Sequence, residues 1–323
     1  MELLENKEKL DKYITNATNI YIMGHRYLDL DALGSSIGVY EYVKSKGKKA
    51  TIIINDRKLE NGVKRALEDL KNILVIKKSN KIKSKINSKS LLIIVDTNKE
   101  YLLQDPTILN IFDKIIVIDH HDTNDQTIND GLLIIDKNAS STCEMITDLI
   151  DYEKIPISKE VATIILSGIV LDTNNYVIKT TTDTFRTSYI LSKYGADAQY
   201  VQYLLKQDLK KYLARQKVLT NVKQIKKVAI TNGKSNVVYR REDLAKIADT
   251  LLLFNKIEAS FVIGRLDDKS IGISARSLGR INVGKVLEPF NGGGDEFEAG
   301  ASIKNTDIKK VDGELKEIIK TLD

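Results

Sequence analysis

Four short segments concentrate the side chains able to hold a metal. The first is Gly24-His25-Arg26-Tyr27-Leu28-Asp29-Leu30-Asp31, with one imidazole and two carboxylates in seven residues. The second is Asp96, directly after the apolar run 91–95. The third is Asp119-His120-His121, directly after the apolar run 115–118. The fourth is Asp172, at the end of the apolar stretch 161–171. The chain has three histidines, and all three fall in this set. Neutral imidazole mixed with carboxylate suits a hard-to-borderline divalent ion. Mn²⁺ comes first, with Mg²⁺, Fe²⁺ or Co²⁺ less favoured. The aspartates at 29, 31, 96 and 172 with two imidazoles exceed what one ion needs. They fit two ions about 3.5–4 Å apart, sharing a carboxylate and a hydroxide. That arrangement clamps a phosphoryl group and activates water, so phosphoester hydrolysis is the expected reaction.

Each segment alone has a plainer reading. An Asp after a strand usually caps a helix or a turn, and Asp31 suits the cap of the helix that follows. Adjacent histidines are often surface residues. Coincidence has to explain all four segments at once, with every histidine used, and the metal reading explains them together.

The elements that must carry these segments alternate. Strands are expected at 20–23, 50–54, 73–76, 91–95, 115–118 and 132–135. Helices are expected at 32–44, 62–72, 140–150 and 158–171. Near-continuous apolar strands alternating with helices predict an α/β fold with a mostly parallel sheet covered on both faces. In such sheets ligands bind beyond the carboxyl ends of the strands. Residues 183–223 read as helices, with Asp183 as a cap. After 226 a smaller α/β unit begins, with a hairpin expected across Asn232-Gly233 and a second across Asp267-Asp268. The division expected is a catalytic domain at 1–190, a helical connector at 191–225 and a substrate-binding domain at 226–323.

Composition sets the outer limits. The 323 residues carry 50 Lys+Arg against 44 Asp+Glu, a formal charge of +6, and 42% are hydrophobic. That is ordinary for a globular chain and unlike a disordered one. The one cysteine, Cys143, excludes an intrachain disulfide and a thiolate-built zinc site, and suits a cytoplasmic chain. No apolar run reaches the ~20 residues that span a bilayer. The lysine-rich stretch 77–89 reads as a solvated face.

His25, Asp29, Asp31-Ala32-Leu33-Gly34, Asp96, Asp119-His120-His121 and Asp172, in this order, resemble the DHH phosphoesterase superfamily. Ser140-Ser141-Thr142 matches the serine-rich helix start after its DHH motif. Ser274-Ala275-Arg276-Ser277 and the glycines 292, 293 and 294 resemble the DHHA1 domain. The resemblance covers about residues 15–305. Within the superfamily, residues 23–31 and 274–283 are most similar to the catalytic region of GdpP-type cyclic di-AMP phosphodiesterases. Such proteins usually carry membrane helices, a PAS domain and a degenerate GGDEF domain upstream, so a longer parent of this chain could be membrane-anchored.

The resemblance implies roles. His25 and Asp29 would hold a first Mn²⁺. Asp31, His120 and Asp172 would hold a second, and Asp96 would bridge. His121 would assist the leaving oxygen, and Asp119 would orient a histidine. Ser274, Arg276, Gly292, Gly293 and Gly294 would bind the substrate phosphate. Asp295 stands where relatives typically place a histidine, and a carboxylate there would repel phosphate.

The implied reaction is Mn-dependent hydrolysis of cyclic di-AMP to linear pApA. A nanoRNase that degrades pApA or short oligonucleotides, and a catalytically silent nucleotide sensor, are the alternatives. The partner is a cyclic dinucleotide or short oligonucleotide, without duplex nucleic acid; a homodimer is open. A groove for long single strands calls for aromatic platforms, and the chain has no Trp and 6% aromatics. Gly293-Gly294-Asp295-Glu296-Phe297 spells the diguanylate-cyclase motif, but 26 residues follow it, too few to complete a cyclase domain.

Overall fold

The computed structural model describes residues 2–56 and 59–322. It divides into two compact units, Met1–Lys206 and Gln207–Asp323.

The first unit holds strands β1 (Asn19–Met23), β2 (Ala50–Ile53), β3 (Ile76–Lys77), β4 (Ser90–Val95), β5 (Ile115–Asp119) and β6 (Leu132–Ile135). Its helices are α1 (Glu2–Glu5), α2 (Lys7–Asn16), α3 (Leu30–Ser45), α4 (Asn61–Asp69), α5 (Thr142–Tyr152), α6 (Lys159–Asp172), α7 (Thr182–Lys193) and α8 (Ala198–Leu204). The strands form one parallel sheet in the order β3-β2-β1-β4-β5-β6. The chain winds outward from β1 to β3, then crosses back to β4. The strand order therefore reverses between β1 and β4, which opens a crevice at their carboxyl ends.

The two faces of this sheet are covered differently. Ile20, Ile22, Leu91, Ile93, Ile116 and Ile118 pack with residues of α2, α3, α5 and α6. On the other face Tyr21, Met23, Leu92, Ile94 and Val117 meet Ile82, Leu103, Ile108 and Phe112. Those partners come from short 3-10 turns and loops, so the second face lacks the helices expected of it. Helix α3 is buried on every side from 30 to 43. It lies against α5 and α6. A Cβ at Gly34 would sit 2.7 Å from Cys143 Sγ, and one at Gly168 would sit 2.5 Å from the same atom. The two glycines thus let three helices converge where the ligand-bearing residues lie.

Two expected caps shift. Asp29, not Asp31, caps α3: its Oδ1 accepts from the amides of Asp31 and Ala32 at 3.0 and 2.9 Å. Thr181, not Asp183, caps α7, in a reciprocal pair with Thr184. In both places two suitable polar residues stand two apart, and the earlier one takes the cap.

The second unit contains α9 (Leu209–Leu219), β7 (Lys223–Ile225), β8 (Val228–Asn232), α10 (Arg241–Leu251), β9 (Ala259–Arg265), β10 (Ser270–Ser277), α11 (Val283–Leu287), β11 (Gly293–Gly294), β12 (Glu298–Lys304) and α12 (Ile308–Thr321). The helices expected to form a connector are divided, with α7 and α8 in the first unit and α9 in the second. The sheet order is β11-β12-β10-β9-β8-β7, antiparallel except for β8 with β9. Residues of α10 cover one face, and residues of α11 and α12 the other.

The first hairpin of this unit lies one element earlier than expected. It joins β7 to β8 across Lys226-Lys227, with Lys226 at φ 52°. Gly233 instead ends β8 beneath the Tyr239 ring. The hairpin across Asp267-Asp268 joins β9 to β10 as expected.

Candidate active site

The reversal in strand order places the end of β1 beside the end of β4. His25 follows β1. Its Nδ1 lies 2.7 Å from the carbonyl of Arg26. A carbonyl only accepts, so Nδ1 carries the proton and Nε2 faces the crevice as a donor of its lone pair. Nε2 lies 3.4 Å from Asp29 Oδ2 and 3.4 Å from Asp96 Oδ2. Asp29 thus serves twice, capping α3 with one oxygen and facing His25 with the other. Gln104 donates to the His25 carbonyl at 2.8 Å and fixes the loop from behind.

Asp96 ends β4 with φ 59°, a left-handed backbone. That conformation costs roughly 1–2 kcal/mol in a non-glycine residue. Its carboxylate is buried at 2% exposure and accepts from Thr142 Oγ1 at 3.1 Å. Asp31, in the first turn of α3, is fully buried. Its two oxygens accept from the amides of Thr142 and Cys143 at the start of α5, at 2.8 and 2.9 Å, where the helix favours negative charge.

His120 follows β5. Its Nδ1 pairs with the Ala139 carbonyl at 3.3 Å. Its Nε2 lies 3.2 Å from Asp172 Oδ2 and 3.5 Å from Asp96 Oδ1. His121 is half exposed, with Nδ1 2.8 Å from Asp119 Oδ1. Asp119 is fully buried, and the same oxygen accepts from the His120 amide at 2.9 Å. It therefore sets the positions of both histidines. Asn98 donates to the His121 carbonyl at 3.1 Å.

Three sets of ligand atoms lie within 4.8 Å of one another: His25, Asp29 and Asp96; Asp31, Asp96, His120 and Asp172; and Asp96, His120 and His121. Asp96 belongs to all three. Burial, then the charges of Asp96 and Asp172, push the Asp31 carboxyl well above its usual range. Burial leads the rise of Asp172 as well. Asp96 moves well below the usual range, because His120 and His25 outweigh its burial. Burial opposes charge on His25 and His120, yet the carboxylates around them raise both well above the usual imidazole value. Buried like charges of this kind call for a cation. His120 Nε2 and Asp119 Oδ2 are buried without a hydrogen-bond partner. A ring nitrogen and a carboxylate oxygen left unpartnered beside crowded carboxylates fit a divalent ion.

The second unit brings the other expected residues to one sheet corner. Ser274 and Arg276 share a face of β10, two residues apart. Arg276 Nε donates to Asp249 Oδ1 of α10 at 2.8 Å, and Glu298 Oε1 lies 3.3 Å from the same nitrogen. Nη1 donates to the Ala275 carbonyl at 3.0 Å. Gly293 and Gly294 form β11, the edge strand, so one side of its backbone has no strand partner. Gly294 sits at φ 143°, and a Cβ there would lie 2.1 Å from the Glu298 carbonyl oxygen. Gly292 packs against Leu287.

Asp295 turns the hairpin from β11 to β12. Its Oδ1 accepts from the amides of Phe297 and Glu298 at 2.8 and 2.7 Å. One of its oxygens is thus committed to the turn, and the letters of the cyclase motif spell an ordinary hairpin tip. Sequence reading passed over Thr142's bond to Asp96, Gln104, Asn98, Asp249 and Glu298. Thr142 alone carried a signal, as the third residue of the Ser140-Ser141-Thr142 helix start.

Residues 19–169 match the DHH family, N-terminal domain, and residues 221–323 match the DHHA1 domain. This chain belongs to the DHH/DHHA1 family. It is 34% identical over 319 residues to the cyclic-di-AMP phosphodiesterase GdpP of Geobacillus thermodenitrificans, a match covering 96% of this chain and 48% of that protein. The chain therefore spans about half the length of that relative. It is 26% identical over 296 residues to the bifunctional oligoribonuclease and PAP phosphatase NrnA of Thermus thermophilus, covering 90% and 85% of the two chains. An exopolyphosphatase-related protein from Bacteroides fragilis shares the fold of this DHH/DHHA1 chain, with a TM-score of 0.80 at 21% identity over 98% and 96% of the two chains. No helix among the described residues is long and apolar enough to cross a membrane.

Proposed function

We propose that this chain is a metal-dependent phosphodiesterase that hydrolyses cyclic di-AMP to linear pApA. The observation that carries the reading is that Asp96 belongs both to the set with His25 and Asp29 and to the set with Asp31, His120 and Asp172. His25 and Asp29 would hold one ion, Asp31, His120 and Asp172 the other, and Asp96 would touch both. The donor set favours Mn²⁺. Two divalent ions there would supply a water acidic enough to attack at neutral pH and would neutralise charge on the phosphate.

The chain's own groups do the remaining work. Thr142 holds the shared carboxylate of Asp96. Asp119 fixes His121 through Nδ1, leaving Nε2 directed outward to give a proton to the departing ribose oxygen. Arg276 takes a substrate phosphate on its planar fork. The similarity to GdpP over nearly the whole chain supports cyclic di-AMP as substrate. The presence of all six candidate ligand residues supports an enzyme over a silent sensor.

The similarity to NrnA, which covers most of both chains, supports a second reading. In it the chain cleaves pApA or short oligonucleotides to mononucleotides. One assay separates the two. Cyclic di-AMP and pApA are incubated with the protein in Mn²⁺, and products are resolved by chromatography. The first reading expects pApA to accumulate from the cyclic substrate. AMP formed faster from pApA than the cyclic substrate is lost would replace it with the second.

A further inference from the structure

Arg276 is an unusual phosphate ligand because its surroundings are acidic. Asp249 and Glu298 both approach Nε, at 2.8 and 3.3 Å. They come from different elements. Asp249 lies on α10, and Glu298 is the cross-strand partner of Arg276 on β12. One guanidinium thus faces two carboxylates, and the charge of Asp295 adds to the same field. Arg276 is largely buried, at 13% side-chain exposure, whereas Asp249 and Glu298 are partly open to water at 31% and 39%. Burial opposes the charge of the guanidinium, and Glu298 and Asp249 restore it.

The contacts also set geometry. Nε and one Nη1 proton are engaged by Asp249 and the Ala275 carbonyl. The end of the fork carrying Nη2 is the part left to meet a ligand. A phosphate arriving there joins a niche whose own charge is already negative. A phosphodiester brings one negative charge. A terminal phosphate brings about 1.5 to 2 at pH 7. The second charge is attracted by one guanidinium and repelled by two carboxylates, so the niche as a whole disfavours it.

We propose that Asp249 and Glu298 are specificity-determining residues that make the Arg276 niche accept singly charged phosphodiesters and reject doubly charged terminal phosphates. The proposal rests on the reading above, in which Arg276 binds a substrate phosphate. It explains how a cyclic dinucleotide, which has only diesters, is told from its own 5′-phosphorylated linear product.

The test is equilibrium binding by the full chain of two probes, adenosine 5′-monophosphate and its methyl ester. They differ at the phosphate by one methyl group and one charge. The unaltered protein should bind the methyl ester about tenfold more tightly. Glu298→Gln and Asp249→Asn should each narrow that ratio at least threefold, by gain of monophosphate binding. Arg276→Ala should weaken both probes. No preference in the unaltered protein, equal shifts for both probes in the carboxylate variants, or unchanged binding in Arg276→Ala would each overturn the proposal. Turnover of cyclic di-AMP is measured in parallel. Its absence with the binding preference intact removes the proposed reaction and leaves the charge selection standing.

Discussion

In the first unit Asp31, Asp96 and Asp172 crowd around His120, and the cation that would relieve them must come from outside. In the second unit Asp249 and Glu298 crowd around a cation the chain supplies itself, Arg276. Both niches concentrate carboxylate, with opposite consequences. The first could recruit positive charge and hold it through ligand bonds. The second has spent its positive charge in advance and has little left for a strongly anionic guest. Carboxylate-rich pockets therefore differ in function according to whether a fixed cation is already among them.

The comparison breaks most visibly at its two centres. Asp96→Ala should lower turnover at least about a thousandfold, since several kcal/mol of charge stabilisation is lost at about 1.36 kcal/mol per factor of ten. Arg276→Ala should cost about a hundredfold or less, mainly in KM. Steady-state kinetics measure both, with circular dichroism as the check on folding. Equal losses would end the distinction between a recruiting niche and a pre-paired one.

Thr142→Val removes the hydroxyl that donates to Asp96. A support of this kind is worth about 10- to 100-fold in metal affinity. Mn²⁺ titration of the variant should show that loss, while binding at the Arg276 niche stays unchanged.

Protons sharpen the contrast. The carboxylates around His25 and His120 raise both well above the usual imidazole value against the effect of burial, so a proton competes with a metal for the same ring nitrogens. Groups raised on folding contribute stability below the unfolded value, near 6.5, and lose it as pH rises through the folded value. Ligation needs the neutral ring. Mn²⁺ uptake should therefore release protons, seen as calorimetric heats that vary with the ionisation enthalpy of the buffer. Affinity should fall as pH is lowered. Buffer-independent heats would contradict the assignment. Arg276→Ala should leave the proton count unaltered.

The smallest effect concerns the hairpin tip. Asp295→Ala loses the acceptor for two amides and should cost about 1 kcal/mol of stability in urea unfolding. Asp295→Asn, which keeps an acceptor oxygen, should cost less.

The clustering of acids and histidines was legible because physics writes it twice, once as apolar runs and again as the acids that end them. A parallel strand buried on both faces must be apolar until it reaches the sheet edge, so Asp96 and Asp119 announce where β4 and β5 stop. The helix cap was not legible. Asp29 and Asp31 both suit it, and only the three-dimensional demand for Asp31 at the start of α5 separates them. Thr142 belongs to a visible motif, but its bond to Asp96 spans 46 residues and leaves no local trace. The Arg276 niche was half legible. Serine and arginine two apart on a strand are visible, whereas Asp249 lies 27 residues away among the other polar residues of α10. The displaced hairpin has a similar cause: Asn232-Gly233 has the better turn chemistry, but the antiparallel partner of β8 is β7, which precedes it in the chain.

Helix α3 has no solvent face between residues 30 and 43. An ordinary surface helix can accumulate change on its outer side without penalty. This one offers no such side, and every position in its first three turns is a core position. Random variation in Asp31 and its neighbours is therefore filtered by foldability before catalysis is ever tested. The segment that carries this candidate ligand is insured against drift by its packing alone.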